Sequence, residues 1–192
     1  MFLMLRLFTE TIGEFLTDQL SELPEKPLVS YALPGSIAGR NALSIFLIGM
    51  TEDEELRSNE QQYLRVGAEW ISQPPPIRLQ CSYIVSAWPA AEDSAQAALI
   101  QLRLMCAAFR VFASIKTMPP GWLPAPMKIP GLPEPLIGLT KDELSGRPEF
   151  WAAAGCSFHA AFAFTATLAL PAAETRYDHI VEKVLVDYMI NK

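Results

Sequence analysis

The chain has 192 residues, of which 51% are hydrophobic and 19% are charged, so a disordered chain is excluded and a domain with a sizeable core is predicted. The net charge is -6 and no run of Lys or Arg forms a basic stripe, which disfavours nucleic-acid binding. Three scattered cysteines without a CxxC spacing argue against a zinc site and favour folding in a reducing compartment such as the cytoplasm.

The first third of the chain predicts a helix followed by two strands. Residues 2–21 place apolar side chains at helical spacing, and two prolines then end the helix. Residues 28–33 (LVSYAL) form a candidate short strand before a Pro-Gly turn. Residues 42–50 (ALSIFLIGM) are apolar on both alternating faces, which predicts a strand buried on two sides near the centre of a sheet.

A polar stretch separates that strand from the next one. Residues 51–67 are too polar for a core, so they predict an exposed excursion or a long hairpin tip that ends at a Pro-Pro-Pro run. Residues 77–88 (IRLQCSYIVSAW) then alternate between apolar and polar side chains. This alternation is typical of a long strand with one polar side.

The middle of the chain predicts a long helix and then a region without one. Residues 92–114 form the clearest helix, with Asp93 or Ser94 as its cap. Its predicted apolar stripe, which should pack on the sheet, contains Leu99, Leu102, Met105 or Cys106, Phe109, and Phe112 or Ala113. Residues 117–136 hold seven prolines and exclude a long helix.

The last third predicts one helical turn and a second long strand. The turn begins at Pro148, and residues 157–170 alternate strongly enough to predict a strand that pairs antiparallel with 77–88 or 42–50. Residues 175–190 are amphipathic and form either a docked helix or a detachable arm. We therefore expect one domain over residues 1–172, followed by a helix or arm over residues 173–192.

Residues that carry chemistry are scarce in this sequence. His159 is predicted on the last strand among Ser and Thr, and Cys156 would lie on the opposite face of that strand, so no Cys-His pair forms. The acidic run at residues 52–55 is typical of a solvated loop. No nucleophile, phosphate-loop or metal motif is present. We expect no enzyme activity, no cofactor and no metal.

The order of the segments resembles a known family. Its markers are residues 55–57 (ELR) after the apolar strand, 74–79 (PPPIRL) leading into the long strand, 83–88 (YIVSAW) at the end of that strand, and 148–151 (PEFW) before the last strand. As an ordered series over roughly residues 3–170, these segments resemble the cap, or tail-terminator, family of contractile injection systems, which are assemblies related to phage tails.

The resemblance implies a fold, an assembly and a set of partners. The fold would be α/β or α+β, with an antiparallel or mixed sheet flanked by helices. The assembly would be a ring of six identical subunits that ends the inner tube and holds the last sheath ring, partly by accepting sheath strands at a sheet edge. The partners would be the inner-tube and sheath proteins of the same machine. The acidic charge balance, separately, disfavours nucleic acid and direct membrane contact.

Aromatic and charged residues in and between the marker segments are candidates for such contacts, as is one residue of the C-terminal segment, because aromatic side chains are enriched at interfaces. The same aromatics can equally be core residues, and the acidic stretch can equally be a solvated loop. The candidates are Glu55, Arg57, Trp70, Trp88, Trp122, Phe150, Trp151 and Tyr188.

Two other functions remain open from the sequence. One is an adaptor that links the injection machine to a membrane, which the amphipathic C-terminal segment suggests, although no uninterrupted apolar stretch of about 18 residues predicts a transmembrane helix. The other is a small-molecule-binding α/β domain. The machine itself would assemble in the cytoplasm and then stay there, remain anchored in a membrane or be released.

Overall fold

The computed structural model describes residues 2–33, 39–58, 60, 62–66, 69–91, 93–141 and 146–172. Within these residues it contains three α-helices, seven strands and a short 3-10 turn at Ala125–Met127. The helices are α1 (Phe2–Gln19), α2 (Ser94–Ser114) and α3 (Pro148–Ala153). The strands are β1 (Leu28–Ser30), β2 (Ala42–Glu52), β3 (Gln62–Val66), β4 (Glu69–Gln73), β5 (Ile77–Trp88), β6 (Leu136–Thr140) and β7 (Ala161–Leu170).

Five of the strands form one mixed sheet in the order β1-β2-β5-β7-β6. β1 runs parallel to β2, and every other neighbouring pair is antiparallel. This sheet confirms the predicted mixed α+β fold. It also confirms that the last long strand pairs antiparallel with residues 77–88, since β7 lies beside β5 over ten residue pairs from Ile77–Leu170 to Ser86–Ala161.

The centre of the sheet is β5, not β2. Residues 42–45 of β2 are buried on both faces, as predicted, but the exposure rises along the strand, and residues 49–52 are exposed. β2 is the interior strand beside the centre, so its predicted place near the centre of the sheet is confirmed, whereas burial on both faces holds only for its first half. β5 carries polar residues, yet it takes the central place because residues 83–87 are covered on both faces.

Helices α1 and α2 cover one face of the sheet and form the main core with it. Thr9 of α1 and Tyr83 of β5 share a hydrogen bond of 3.0 Å between their hydroxyl groups. The Tyr83 ring stacks on Phe164 at 4.9 Å, and Phe164 stacks on Phe112 of α2 at 4.2 Å. Burial raises the pKa of Tyr83, and it raises the pKa of the neighbouring Cys81 thiol to about 11.

Helix α2 begins where the sequence predicts and buries a different face. The Asp93 side chain accepts hydrogen bonds from the backbone N–H groups of Ala95 and Gln96, which confirms it as the N-cap. The predicted stripe is wrong at Leu99, Leu102 and Phe109, because all three are exposed. Of the alternatives Met105 or Cys106, Met105 is partly buried against the core and Cys106 is exposed. Phe112 is buried as predicted, and the rest of the buried face consists of Leu104 and Ala108. The helix is apolar on most sides, so its spacing alone does not select the face that packs.

The opposite face of the sheet is covered near α3. Trp151 of α3 is fully buried, and the ring of His159 lies 6.0 Å from it and stacks on Trp88 at 4.1 Å. His159 was predicted on a strand, but β7 begins only at Ala161, so His159 and Cys156 both lie in the connection that precedes it. A glycine in the left-handed region, Gly155, begins this connection with φ of +76°.

The polar excursion after β2 contains a hairpin of its own. β3 and β4 pair antiparallel over five residue pairs and form a separate two-stranded sheet. The excursion is tied to the main sheet at its base, because Asp53 N–H donates to the Arg78 carbonyl at 2.8 Å and Thr167 Oγ1 donates to Asp53 Oδ2 at 3.3 Å. The prediction of a long hairpin tip is confirmed.

The proline-rich segment reaches the edge of the sheet, as its composition allows. It contains no long helix, and its start forms a bridge between Thr117 and Leu136 on the outer side of β6. Met118 N–H donates to the Pro135 carbonyl and Ile137 N–H donates to the Lys116 carbonyl. The first half of edge strand β6 is therefore covered by the chain itself.

Candidate interaction surfaces

The described part of the chain brings no catalytic or metal-binding group together. It contains no cluster of three or more His, Cys, Asp or Glu side chains that could hold a metal ion. The Cys156 thiol donates to the Trp151 carbonyl at 3.6 Å, and burial raises its pKa. His159 Nδ1 lies 3.1 Å from the Ser157 carbonyl. These two side chains are each satisfied locally and do not face each other as a nucleophile and base would.

The acidic stretch is an exposed turn at the base of the hairpin. Asp53 organises it, since Asp53 Oδ1 accepts from Leu56 N–H at 3.2 Å. Glu55 is exposed on this turn. Arg57 is exposed as well, and its Nε lies 3.7 Å from Glu52 Oε1 of the same chain. A contact of Arg57 with a carboxylate of a neighbouring subunit would compete with this weak surface pair.

For two of the predicted contact residues, Trp70 and Tyr188, the structure gives a backbone position or no description. Trp70 lies in β4, where its backbone pairs with Arg65 of β3. Tyr188 lies outside the described residues, as does the whole predicted helix or arm. Tyr63 of β3 is 54% exposed, so the hairpin presents at least one aromatic side chain to solvent.

Three of the predicted contact residues meet in one aromatic cluster. Trp88 stacks on His159, and the rings of Phe150 and Trp151 lie 5.2 Å apart, edge to face. Trp151 is fully buried, which supports the core alternative for it, whereas Trp88 and Phe150 are half-buried at the rim of the cluster. Phe158 is the exposed member, and its ring contacts Trp151 at 6.4 Å.

Trp122 belongs to the proline-rich segment and packs on α1. Its ring meets Phe15 edge to face at 5.4 Å, and it is half-buried. It closes one side of the main core while keeping part of its ring at the surface. Both the core role and the contact role predicted for Trp122 are compatible with this position.

The second half of β2 is an open edge of the sheet. β1 pairs only with residues 42–44, and no described residue pairs with the remaining length of β2 on that side. A β-bulge shifts the register between Leu47 and Gly49. Because Asp53 N–H points to β5, the alternating backbone groups of Met50 and Glu52 point away from β5 into the open edge. Open strand edges are templates for pairing with another chain.

Helix α2 presents an apolar surface that the sequence analysis assigned to the core. The exposed fractions are 64% for Leu99, 61% for Leu102 and 47% for Phe109. The helix is long and apolar enough by length and composition to cross a membrane, although its other face packs on the sheet. We define the α2 stripe as Ala98, Leu99, Leu102, Cys106 and Phe109. Apolar residues on most sides of the helix were the signal for a second contact face.

A groove lies between α1 and β1 at the other end of the sheet. It encloses about 460 Å³ and is lined by Gly13, Glu14 and Asp18 of α1 and by Leu28 and Tyr31 near β1. Gly13 allows the Tyr31 ring to approach α1 closely, because a Cβ at that position would lie 2.7 Å from Tyr31 Cζ and the ring would have to shift. We call this feature the α1–β1 groove. The sequence analysis did not find it, since it depends on the packing of a strand against a helix distant in sequence.

Comparisons with known proteins place this fold in a family. Residues 8–180 match the family model described as the Pvc16 N-terminal domain. Among curated proteins, no sequence matches the chain. A solved structure described as the sheath/tube terminator of an extracellular contractile injection system, PVC, in its extended state is 17% identical, with a TM-score of 0.59 over 94% of this chain and 68% of that one.

A second solved structure shows the same fold. It is described as the tube-terminating cap of the anti-feeding prophage, is 15% identical, and has a TM-score of 0.65 over 91% of this chain and 58% of that one. This chain thus spans somewhat more than half of each matched structure's length. Because the family model matches most of the chain in one continuous region, the chain belongs to the Pvc16 N-terminal domain family.

Proposed function

We propose that this chain is a tube-terminating cap subunit of a contractile injection system, a structural protein and not an enzyme. The observation that carries the proposal is the match of nearly the whole chain, in fold, to a sheath/tube terminator and to a tube-terminating cap. Membership of the Pvc16 N-terminal domain family supports it independently. Neither matched structure supports a membrane adaptor or a small-molecule-binding domain.

The finer form of the proposal is a ring of six subunits at the end of the inner tube. Its partners are a second copy of the chain, the tube protein and the sheath protein. One matched structure belongs to an extracellular system, which supports release of the finished particle after assembly in the cytoplasm. The scattered thiols, none of them in a disulfide among the described residues, are compatible with such a reducing place of assembly.

The open edge of β2 is the proposed acceptor for an extended sheath segment. Met50 is 52% exposed, and its backbone N–H and C=O face the open side of the sheet. An added strand would satisfy these groups and extend the five-stranded sheet beyond β1. The bulge between Leu47 and Gly49 lies beyond the last residue of β2 that pairs with β1, Ser44, and separates this internal pairing from the free part around Met50.

The β3–β4 hairpin is the proposed contact with the tube or with a neighbouring subunit. A two-stranded hairpin that is not part of a larger sheet is marginally stable in water, so a partner surface would stabilise it. The hairpin carries Trp70 and Tyr63, and Glu55 and Arg57 lie at its base. Aromatic residues on such a projection can anchor the contact, and the charged pair can set its orientation.

The capping role can be tested by adding the purified chain to polymerising tube protein. We expect tubes with an extra density at one end in electron micrographs and with arrested growth at that end. A gold label on an affinity tag should mark that same end. If the chain bound along the tube wall, or left elongation unchanged at saturating concentration, the proposed function would be wrong.

The acceptor role of β2 has a matched pair of variants. Met50→Pro removes an outward N–H without removing a hydrogen bond to β5, whereas Met50→Ala removes the same side chain and keeps the N–H. We expect Met50→Pro to lose sheath binding and Met50→Ala to keep most of it, in a pull-down with sheath protein. Equal binding by the two variants would exclude strand addition at this edge.

A further inference from the structure

The α2 stripe is an exposed apolar surface that the described residues leave largely uncovered. The side of α2 next to α1 is already occupied, because Arg103 Nη1 binds Glu25 Oε1 at 2.6 Å and Arg110 lines a cleft with the end of α1. The Phe109 ring contacts the Phe162 ring of β7 edge to face at 5.4 Å. The exposed stripe therefore points away from α1, toward solvent and the β6 edge of the molecule. Exposed apolar patches rimmed by charge mark association sites.

The α1–β1 groove lies on the same face of the sheet but at the opposite edge. α1 contacts β1, whereas α2 contacts β5, β7 and β6. Leu28 is half-exposed in the groove, and the Tyr31 ring forms part of its wall. The groove spans about two turns of α1, roughly 12 Å, and the α2 stripe from Leu99 to Phe109 spans about 15 Å. The two features are thus similar in length.

The charges beside the two surfaces have opposite signs. Arg103 and Arg110 flank the α2 stripe, and exposed Glu14 and Asp18 flank the groove. If the α2 stripes of two copies met, their arginines would lie close together. If the α2 stripe of one copy met the α1–β1 groove of another, the arginines would lie beside carboxylates. Charge complementarity of this kind selects the partner surface and its orientation. The complementary arrangement is therefore head to tail.

We propose that the α2 stripe of one copy seats in the α1–β1 groove of the next copy. Because the two surfaces differ and lie at opposite edges of one sheet face, the contact is heterologous and repeats from copy to copy until the ring closes. The inference rests on the proposed ring-forming cap and assigns the surfaces that build the ring. It accounts for an apolar helix face that none of the described residues covers.

Cross-linking separates this contact from its alternatives. In a Cys156→Ser background, Cys106 on the stripe is native and exposed, whereas Cys81 is buried. Adding Asp18→Cys in the groove and treating the full chain with a short bis-maleimide should give a ladder of dimers, trimers and higher species. The control with Cys106→Ser should give none. Dimers joined through Cys106 of both copies, without a ladder, would overturn the proposal, because they require a stripe-to-stripe contact.

Charge exchange provides an independent measurement. Arg110→Glu and Glu14→Arg should each weaken self-association by about tenfold, measured by light scattering over a concentration series, and the double variant should restore it. Loss without restoration would contradict the pairing. Leu102→Asp should yield monomers with an unchanged circular dichroism spectrum. Flotation of the wild-type chain with anionic liposomes, lost in Leu102→Asp, would assign the stripe to a membrane and overturn the proposal.

The contact through α2 and the capping function can be distinguished by experiment. If cross-links and charge exchange gave no ladder while the chain still stopped tube growth, the ring would use other surfaces and only the inference about α2 would be wrong. If the ladder formed while tube growth continued unchanged, self-association through α2 would stand and the capping function would not.

Discussion

The two faces of α2 are similar in composition, but one is buried and the other is exposed. One face buries Leu104, Ala108 and Phe112 in the main core, and the other leaves Leu99 and Phe109 at the surface. Burial of a large apolar side chain contributes about 1.5–3 kcal/mol to folding, so the first face stabilises the subunit. The second face contributes little to the isolated subunit, and its apolar character is explained only if another surface covers it.

The largest expected change in the free energy of unfolding comes from a substitution on the buried face, and a matched substitution on the exposed face serves as its control. Phe112→Ala should destabilise the chain by about 3–5 kcal/mol, because the Phe112 ring fills the space against Phe164 and Phe162. Phe109→Ala, three residues away on the exposed face, should cost about 1 kcal/mol or less. Urea unfolding followed by circular dichroism measures both, and equal losses would refute the assignment of faces.

The next largest expected effect on stability concerns the ion pair between Arg103 of α2 and Glu25. The Glu25 side chain is 8% exposed, its Oε1 binds Arg103, and its Oε2 has no hydrogen-bond partner among the residues that the structure describes. Arg103→Ala would leave this carboxylate unpaired and should cost about 1–3 kcal/mol in chemical denaturation. The double variant Arg103→Ala/Glu25→Ala should recover part of that loss. A single variant as stable as the wild type would show that the ion pair contributes nothing.

A smaller effect concerns the start of the same helix. Asp93→Ala removes the acceptor for two backbone N–H groups and should cost about 1 kcal/mol. Asp93→Asn keeps an acceptor oxygen and should lose only a few tenths of that value, measured by the same urea titration. The account of the cap would be contradicted if the two variants were equally destabilised.

The smallest effect is a pH dependence on the alkaline side. The pKa of Cys81 rises from an ordinary 9.0 to about 11 in the folded chain, so folding favours the protonated thiol. Its contribution is fully present below pH 9 and is lost as the pH rises from 9 toward 11. Stability should therefore fall over that window, and Cys81→Ala should flatten the fall. A steeper loss of stability with pH in Cys81→Ala than in the wild type would contradict a raised pKa of Cys81 in the folded chain.

The type of most helices and strands was predictable from the sequence, whereas the order in which the strands pair was predictable only in part. Alternation over β5 and β7 and the spacing of α1 gave each element its type, and the Asp93 cap gave the start of α2. Local patterns do not encode which strands are neighbours across the sheet. The parallel β1–β2 pair and the central place of β5 therefore emerged only from the structure.

The candidate contact surfaces show the same limit. Trp88, Phe150 and Trp151 were selected for their residue type, and the structure brings them together around His159, which the sequence placed on a strand. The α2 stripe was visible as an apolar pattern and was assigned to the core, since periodicity cannot separate two apolar faces of one helix. The α1–β1 groove depends on Gly13 and Tyr31, two residues that no local pattern connects.

The most direct test of the central claim is the length of inner tubes in particles assembled without this chain. Electron micrographs of particles from a deletion strain should show tubes and sheaths of uncontrolled length with ragged ends. Re-expression of the chain should restore a narrow length distribution. Particles of unchanged, uniform length in the deletion strain would contradict a terminating role.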